Sequence, residues 1–596
     1  MEVKGKRAHV LAVPGPAQGH VRPLMKLMTQ IANRGIKASF VNTEYIHAKV
    51  MAAMSEEDKR QSHIELMSIP DGLPPEDDRS QWLKLLESLA RTMSRNLTDL
   101  IEKINCKNKD EKISHIIVDT TIGWILDIPK KMGAEPVAFQ PSAAASMALK
   151  LHIPKLIEEG NLDMNGFMME NELIKVSHDV PPWRRNELLW SIPSDLKGQK
   201  ILFECILAAG KSVHQATWIL CNTLYELESS ACNLIPNFLS IGPLLRSNNL
   251  KSCASGGSFW VEDTACLSWL DEKPDGSVIY VSFGSIAVLS QDQLNELSLA
   301  LELSGRPFLW VVRSNLANGS RAEYPDGFRE RVAERAKIVE WAPQEKVLAH
   351  SSVWCFLSHC GWNSTMEGLS LGVPFLCWPY FADQFHNENY ICDMWRIGLR
   401  LNRDENGLRS RHDIVSKIEM LYCDLNVKAN ALKLKEMAQG SVTESGSSFK
   451  NFESFISPPP STTVGRHNHH HYHRPKSTPL SPPSTINTTA TTNHYHHPEP
   501  LTTAKINTTH HHHQPLPLQT DHYINIIATT INTHRLPNPK NKKKPKRERR
   551  QILDKFAAAS HPQAGVGASP SSLIEVCDHP QPASRRERRQ RMVGRK

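Results

Sequence analysis

None of the twelve cysteines stands in a CxxC pair. That excludes a zinc ribbon, a thioredoxin-type redox site and a dense disulfide framework, and predicts reduced thiols in a cytosolic setting. No apolar run approaches the ~18 residues that a spanning helix needs, so no membrane span is expected. The start, Met1-Glu-Val-Lys-Gly-Lys-Arg, runs straight into a strand-like segment and lacks the apolar stretch of a secretory signal. Positive charge is also scarce where a nucleic-acid surface would need it. The net +8 is the sum of a tail, residues 457–596, with 21 Lys and Arg against 7 Asp and Glu, and a body with 49 against 55. The body is thus mildly acidic at −6, and a charge-driven nucleic-acid reading applies only to the tail.

What is present is 596 residues, 40% of them hydrophobic, enough for two to four domains at about 150 residues each. Short apolar, β-rich runs alternate with amphipathic helical stretches. The first series is His9–Pro14, Lys37–Asn42, Ile113–Asp119, Pro136–Gln140 and Trp218–Asn222. The second is Val278–Phe283, Pro307–Val312, Lys337–Trp341, Val353–Ser358 and Val373–Trp378. Apolar strands alternating with helices imply parallel sheets covered on both faces, so two series imply two doubly wound α/β domains. Gly and Asn clusters between Ile241 and Gly276 place the boundary near residue 250. The domains expected are 1–250, 251–456 and a tail at 457–596. The tail holds 16 of the 28 histidines and 18 of the 39 prolines, a composition that predicts disorder. Its basic clusters, Lys540–Arg550 and Arg585–Arg591, are read as solvated charge, with a nuclear or nucleic-acid patch as the alternative. The tail could also be sequence that is no part of the natural product.

The chemistry concentrates in 44 residues, Trp341 to Gln384 (WAPQEKVLAHSSVWCFLSHCGWNSTMEGLSLGVPFLCWPYFADQ). A buried strand ends at His359, Gly361 makes a turn, and a helix opens near Asn363. Backbone N–H groups, His359, Asn363 and Ser364 then meet at a helix N-terminus, which suits a diphosphate. Glu367 shares that helix face and can accept from ribose hydroxyls. Trp341 offers a flat face to a base, and Asp383-Gln384 offer acceptors and donors to sugar hydroxyls. Asn363-Ser364-Thr365 is also a formal glycosylation sequon, which agrees with a protein that is not secreted.

This stretch resembles the signature box of plant family-1 UDP-sugar-dependent glycosyltransferases. The resemblance covers about residues 7–456 and implies the GT-B architecture: two Rossmann-like domains facing a cleft, the donor held by the C-terminal one and the last helix packing back on the first. It implies that Trp341 stacks on uracil and that Gln344 and Glu367 hold the uridine. His359, Asn363 and Ser364 would hold the diphosphate, and Trp362, Asp383 and Gln384 the sugar. A terminal Gln resembles the glucose-preferring version of the box.

The N-terminal run HVLAVPGPAQGHVRPLMKL reads as strand, turn, helix, with His20 near the helix N-terminus. The helix dipole there would keep the imidazole neutral and able to accept a proton. Asp119 ends another parallel strand, so both residues lie where open α/β sheets form their crevice. By resemblance they are the general base and its carboxylate. Ser285, in Ser282-Phe-Gly-Ser285 after the first strand of the second domain, adds a hydroxyl for the diphosphate. The chain has no Asp-x-Asp pair, the metal-binding set of the other main glycosyltransferase architecture, so neither a metal nor another cofactor is expected beside the UDP-glucose co-substrate. Trp354 departs from the family, which has a small residue there. In a packed site it would cost about 1–3 kcal/mol and weaken donor binding or stability.

The expectation is a cytoplasmic, monomeric, inverting UDP-glucosyltransferase acting on a small apolar hydroxylated or carboxylic acceptor, which the sequence does not name. The alternatives are the same reaction with another UDP-sugar, or a catalytically impaired binding protein with a nuclear or RNA-directed tail.

Overall fold

The computed structural model describes residues 2–3, 6–107, 110–169, 173–192, 195–245, 257–314, 316 and 322–457. The expected boundary near residue 250 and the tail from 458 onward lie outside the described residues.

Two main sheets are formed. The first contains β1 (His9–Val13), β2 (Lys37–Thr43), β3 (Ile64–Ile69), β4 (His115–Asp119), β5 (Glu135–Gln140), β6 (Trp218–Cys221) and β7 (Phe238–Ser240), in the order β7-β6-β5-β4-β1-β2-β3. The second contains β8 (Val278–Ser282), β9 (Phe308–Val311), β10 (Ala336–Val339), β11 (Val353–Ser358), β12 (Phe375–Cys377) and β13 (Gly398–Arg400), in the order β10-β9-β8-β11-β12-β13. Every neighbouring pair within them is parallel. Both sheets therefore repeat the 3-2-1-4-5-6 winding of the doubly wound fold, in which the order reverses between the first and fourth strands and leaves a crevice there.

Alternation along the strands fills both faces. Val10 and Ala12 of β1, Ile117 of β4 and Phe139 of β5 join one core, whereas Leu11, Val13, Ile116, Val118 and Ala138 join another. Strands apolar on both faces need helices on both sides, which is why they read as continuous hydrophobic runs. Helix α1 (Gln18–Ala32) buries Val21, Leu24, Met25, Met28 and Ile31 against the first of these cores. The last described helix, Ser447–Ile456, adds Phe452, Phe455 and Ile456 to the same core, and Asn451 donates to the Ser240 carbonyl at 2.9 Å. It thus packs back on the first sheet.

Three strands of these two sheets were not anticipated: β3, β7 and β13. All lie at sheet edges. An edge strand is half-solvated, so its pattern is less apolar; β3 buries only its terminal residues, Ile64 and Ile69.

Trp354 is accommodated by the backbone. Val278 pairs with Val353 and Ile279 with Cys355, so Trp354 is the extra residue of a bulge. Its indole meets Tyr422 edge-on at 5.3 Å, and the Arg306 guanidinium lies 5.6 Å from its ring centre. It sits near the amino end of β11, about 13 Å of strand from Ser358. The expected disturbance of the donor side has no structural basis: the side chain packs against helix Arg411–Cys423, away from the crevice.

Candidate functional site

One cavity runs between the two crevices, with about 1040 Å³ of empty space including its mouth. His20, Ser285, Trp341, Gln344, His359, Trp362, Asn363, Ser364, Glu367, Asp383 and Gln384 all line it. Of the expected site residues only Asp119 does not, because it lies one layer behind His20.

The first crevice carries a His–Asp pair. His20 follows β1 and Asp119 ends β4, the two strands that flank the reversal of order. His20 Nδ1–H donates to Asp119 Oδ2 at 2.9 Å, which leaves Nε2 as the ring nitrogen available to the cavity. The other carboxylate oxygen, Oδ1, accepts from the Thr121 N–H at 2.8 Å and its hydroxyl at 2.7 Å. A Cβ at Gly15 would lie 2.6 Å from Thr121 Oγ1, so the turn after β1 tolerates no side chain there. Burial by itself would lower the His20 pKa, but the charge and hydrogen bond of Asp119 raise it above the ordinary histidine value. The helix N-terminus alone would shift it the other way; a carboxylate in contact outweighs a partial dipole charge. Burial by itself would raise Asp119; the same pairing, with Thr121, holds it below the usual carboxylate value.

The second crevice lies between β8 and β11. After β11, Cys360 takes a left-handed backbone (φ 62°) and helix α5 (Trp362–Leu371) begins. Ala382, just before Asp383, is likewise left-handed (φ 54°). Non-glycine residues in that region store strain, and here both flank the site. His359 is enclosed by glycines: a Cβ at Gly284 or Gly361 would lie 2.5 or 2.4 Å from its Nε2. Burial, then the charge of Arg313, lowers its pKa to about 4, so it is neutral at pH 7. Gln344 opens helix α4 (Gln344–Leu348); its Nε2 donates to Ser364 Oγ at 2.9 Å and Glu367 Oε2 at 2.7 Å. Its Oε1 accepts from the Tyr280 hydroxyl at 3.2 Å. Trp341 stacks on Trp260 at 4.4 Å, which fixes one face of the indole.

The structure modifies three expected roles. The Gln384 Oε1 accepts from the Tyr380 and Phe381 N–H groups at 2.8 and 3.1 Å, so only its amide nitrogen remains to serve a ligand. Trp362 donates its indole N–H to the Asn222 carbonyl at 2.8 Å, across to the first half. Asn363 Nδ2 donates to the Gly19 carbonyl at 2.7 Å, beside His20. That last bond has a cause in the sequence. Gly19 O would accept from the N–H four residues on, but that residue is Pro23, inside α1, and proline has no N–H. The carbonyl next to the His–Asp pair is thereby released to the other half.

Charge fastens α1 to both α4 and α5. Lys26 Nζ, on α1, lies 2.8 Å from Glu345 Oε1 and 3.0 Å from Glu367 Oε1, and Arg22 lies 3.3 Å from Glu345. Tyr280, Trp260, Arg22 and Lys26 were not anticipated as site residues. Nothing in their local sequence sets them apart: Arg22 and Lys26 gain their contacts from the approach of the two halves, Tyr280 and Trp260 from packing on Gln344 and Trp341 within the second. Burial raises Asp383, which accepts from Asn387 Nδ2 at 3.1 Å. Among the described residues no helix is long and apolar enough to cross a membrane.

Residues 224–443 match the family model described as "UDP-glucoronosyl and UDP-glucosyl transferase". The chain is 40% identical over 458 residues to UDP-glycosyltransferase 83A1 of Arabidopsis thaliana, covering 76% of this chain and 96% of that protein. It resembles the solved UDP-glucosyltransferase from Polygonum tinctorium capable of glucosylating indoxyl, with TM-score 0.64, 26% identity and coverage of 76% and 99% of the two chains. It also resembles Phytolacca americana UGT2 complexed with UDP-2fluoro-glucose and pterostilbene, with TM-score 0.62, 26% identity and coverage of 77% and 100%.

Proposed function

This chain belongs to the plant family-1 UDP-sugar-dependent glycosyltransferases and has their GT-B fold, and from that premise we propose that it moves glucose from UDP-glucose to a hydroxyl of a small apolar metabolite in the plant cytosol. His20 Nε2 takes the acceptor proton, and Asp119 stabilises the imidazolium that forms. The acceptor oxygen attacks the anomeric carbon as the bond to UDP breaks. A single displacement inverts the α-linked donor to a β-glucoside.

The observation that carries this reading is the pairing of two crevices in one cavity: a His–Asp pair on one side, and a helix N-terminus with ten polar and aromatic donor-side residues on the other. Trp341 has one indole face for uracil. Gln344 and Glu367 suit the ribose, and His359, Ser285, Ser364 and the α5 N-terminus suit the diphosphate. Asp383 and the Gln384 amide nitrogen suit the sugar.

The test needs no acceptor. UDP or UDP-glucose at 100 times its dissociation constant should stabilise the protein by about 2.7 kcal/mol, seen as a clear rise in melting temperature. A folded protein that shows no shift with either ligand would refute the donor site.

A further inference from the structure

The carboxylate proposed for the ribose is gripped from the opposite half. Glu367 lies on α5 and lines the cavity. Its Oε2 accepts from Gln344 Nε2 at 2.7 Å, within its own half. Its Oε1 accepts from Lys26 Nζ at 3.0 Å, and Lys26 stands on α1, six residues beyond His20. Only 13% of the lysine side chain and 4% of the glutamate are exposed, so water and salt screen this pair little.

Lys26 serves two acids. The same Nζ lies 2.8 Å from Glu345 Oε1, whose side chain is also buried. Arg22, one turn earlier on α1, lies 3.3 Å from that Glu345 oxygen and 3.9 Å from Glu262 Oε1. Three carboxylates therefore gather round two cations, and the contact with Glu367 belongs to Lys26.

What this does follows from the shape of the side chain. A glutamate turns freely about its single bonds, and a lone hydrogen bond to Oε2 leaves the carboxylate able to rotate about that contact. A second, charge-assisted bond on Oε1 fixes its plane. Each carboxylate oxygen has two lone-pair directions, so one on each is left for a ligand hydroxyl. Without the ammonium, Glu345 and Glu367 would face each other as like charges in a poorly solvated place, and Glu367 would turn aside.

We infer that Lys26 is a positioning residue for the nucleotide: it sets the Glu367 carboxylate to accept from the ribose hydroxyls, and so makes the site select ribonucleotides over deoxyribonucleotides. This rests on the transferase reading above. The nucleotide is touched by Glu367 of the second half, and the orientation of that carboxylate is set from the helix that carries His20.

The experiment titrates the full chain calorimetrically with UDP and with 2′,3′-dideoxy-UDP, which lacks both ribose hydroxyls. The wild type should favour UDP about 10- to 100-fold, as hydroxyl bonds to an ionised carboxylate require. Lys26→Met should bring the ratio close to one by weakening UDP and sparing the dideoxy nucleotide. Lys26→Arg, which keeps the charge, should keep the preference. Glu367→Gln should lose it, and adding Lys26→Met to that variant should change the ratio no further. A wild type that binds both nucleotides alike would overturn the inference without any variant. So would a Lys26→Met protein that weakens both equally, the result for a mere fastener between the halves, or one that keeps the preference. Binding of neither nucleotide by the wild type would refute the donor site itself, and this inference with it.

Discussion

At the residue scale, the decisive pair is His20 and Asp119. The geometry was legible in part: both were placed at strand ends from the sequence, but the contact at 2.9 Å comes from folding. The direction of the His20 pKa shift was not legible, because a local dipole argument omits a carboxylate 99 positions away. With the His20 pKa raised, the acid limb of kcat/KM should lie above pH 6.5, since the base must be neutral to accept a proton. Asp119→Asn removes the raising charge. The limb should then move to lower pH, and turnover should fall by about 10²–10⁴-fold. A pH–rate profile of both proteins checks this. The linkage to stability follows the same signs. A raised His20 stabilises the fold below pH 6.5, and this is lost as pH rises through its folded value. A lowered Asp119 stabilises it above its ordinary 3.8, and this is lost as pH falls. The pair therefore contributes most between those two ordinary values.

At the element scale, helix α1 does more than carry His20. Pro23 forgoes one helical hydrogen bond, and Asn363 of the opposite half takes up the freed Gly19 carbonyl. Pro23→Ala would restore the N–H and give Gly19 O a competing donor. The variant should melt no lower than the parent yet turn over more slowly, measured by thermal unfolding beside initial rates. The PAQGH…P run was readable as strand, turn and helix, but the purpose of its proline was not, since that partner lies 344 residues on from Gly19. Trp354 shows the opposite error. Its sequence position, five residues before His359, suggested interference, whereas the β11 bulge turns it towards Tyr422 and Arg306. Trp354→Ala should destabilise by about 1–3 kcal/mol through lost packing and leave UDP affinity unchanged, as denaturant unfolding and titration would show. The edge strands β3, β7 and β13 escaped notice for a related reason: half-solvated strands do not carry the continuous apolar signal of central ones.

At the scale of the whole molecule, the same winding occurs twice, and each reversal of strand order supplies one side of a single cavity. The two halves were visible in the sequence as two series of apolar runs, and the donor side as an uninterrupted 44-residue stretch. The fastening between them was not. Lys26 with Glu345 and Glu367, Asn363 with Gly19, and Trp362 with Asn222 join positions more than a hundred residues apart. Their meeting depends on two independent folds approaching at one angle, which no local pattern encodes. The proposed function gives the proton to one half and the nucleotide to the other, so the two functions should separate cleanly. The most direct measurement is His20→Ala, assayed for UDP affinity by calorimetry and for transfer from UDP-glucose across a panel of phenols and hydroxy acids. The account predicts unchanged UDP affinity with turnover reduced about 10²–10⁴-fold. A variant that transfers glucose at the parental rate, or one that stays folded but no longer binds UDP, would contradict it.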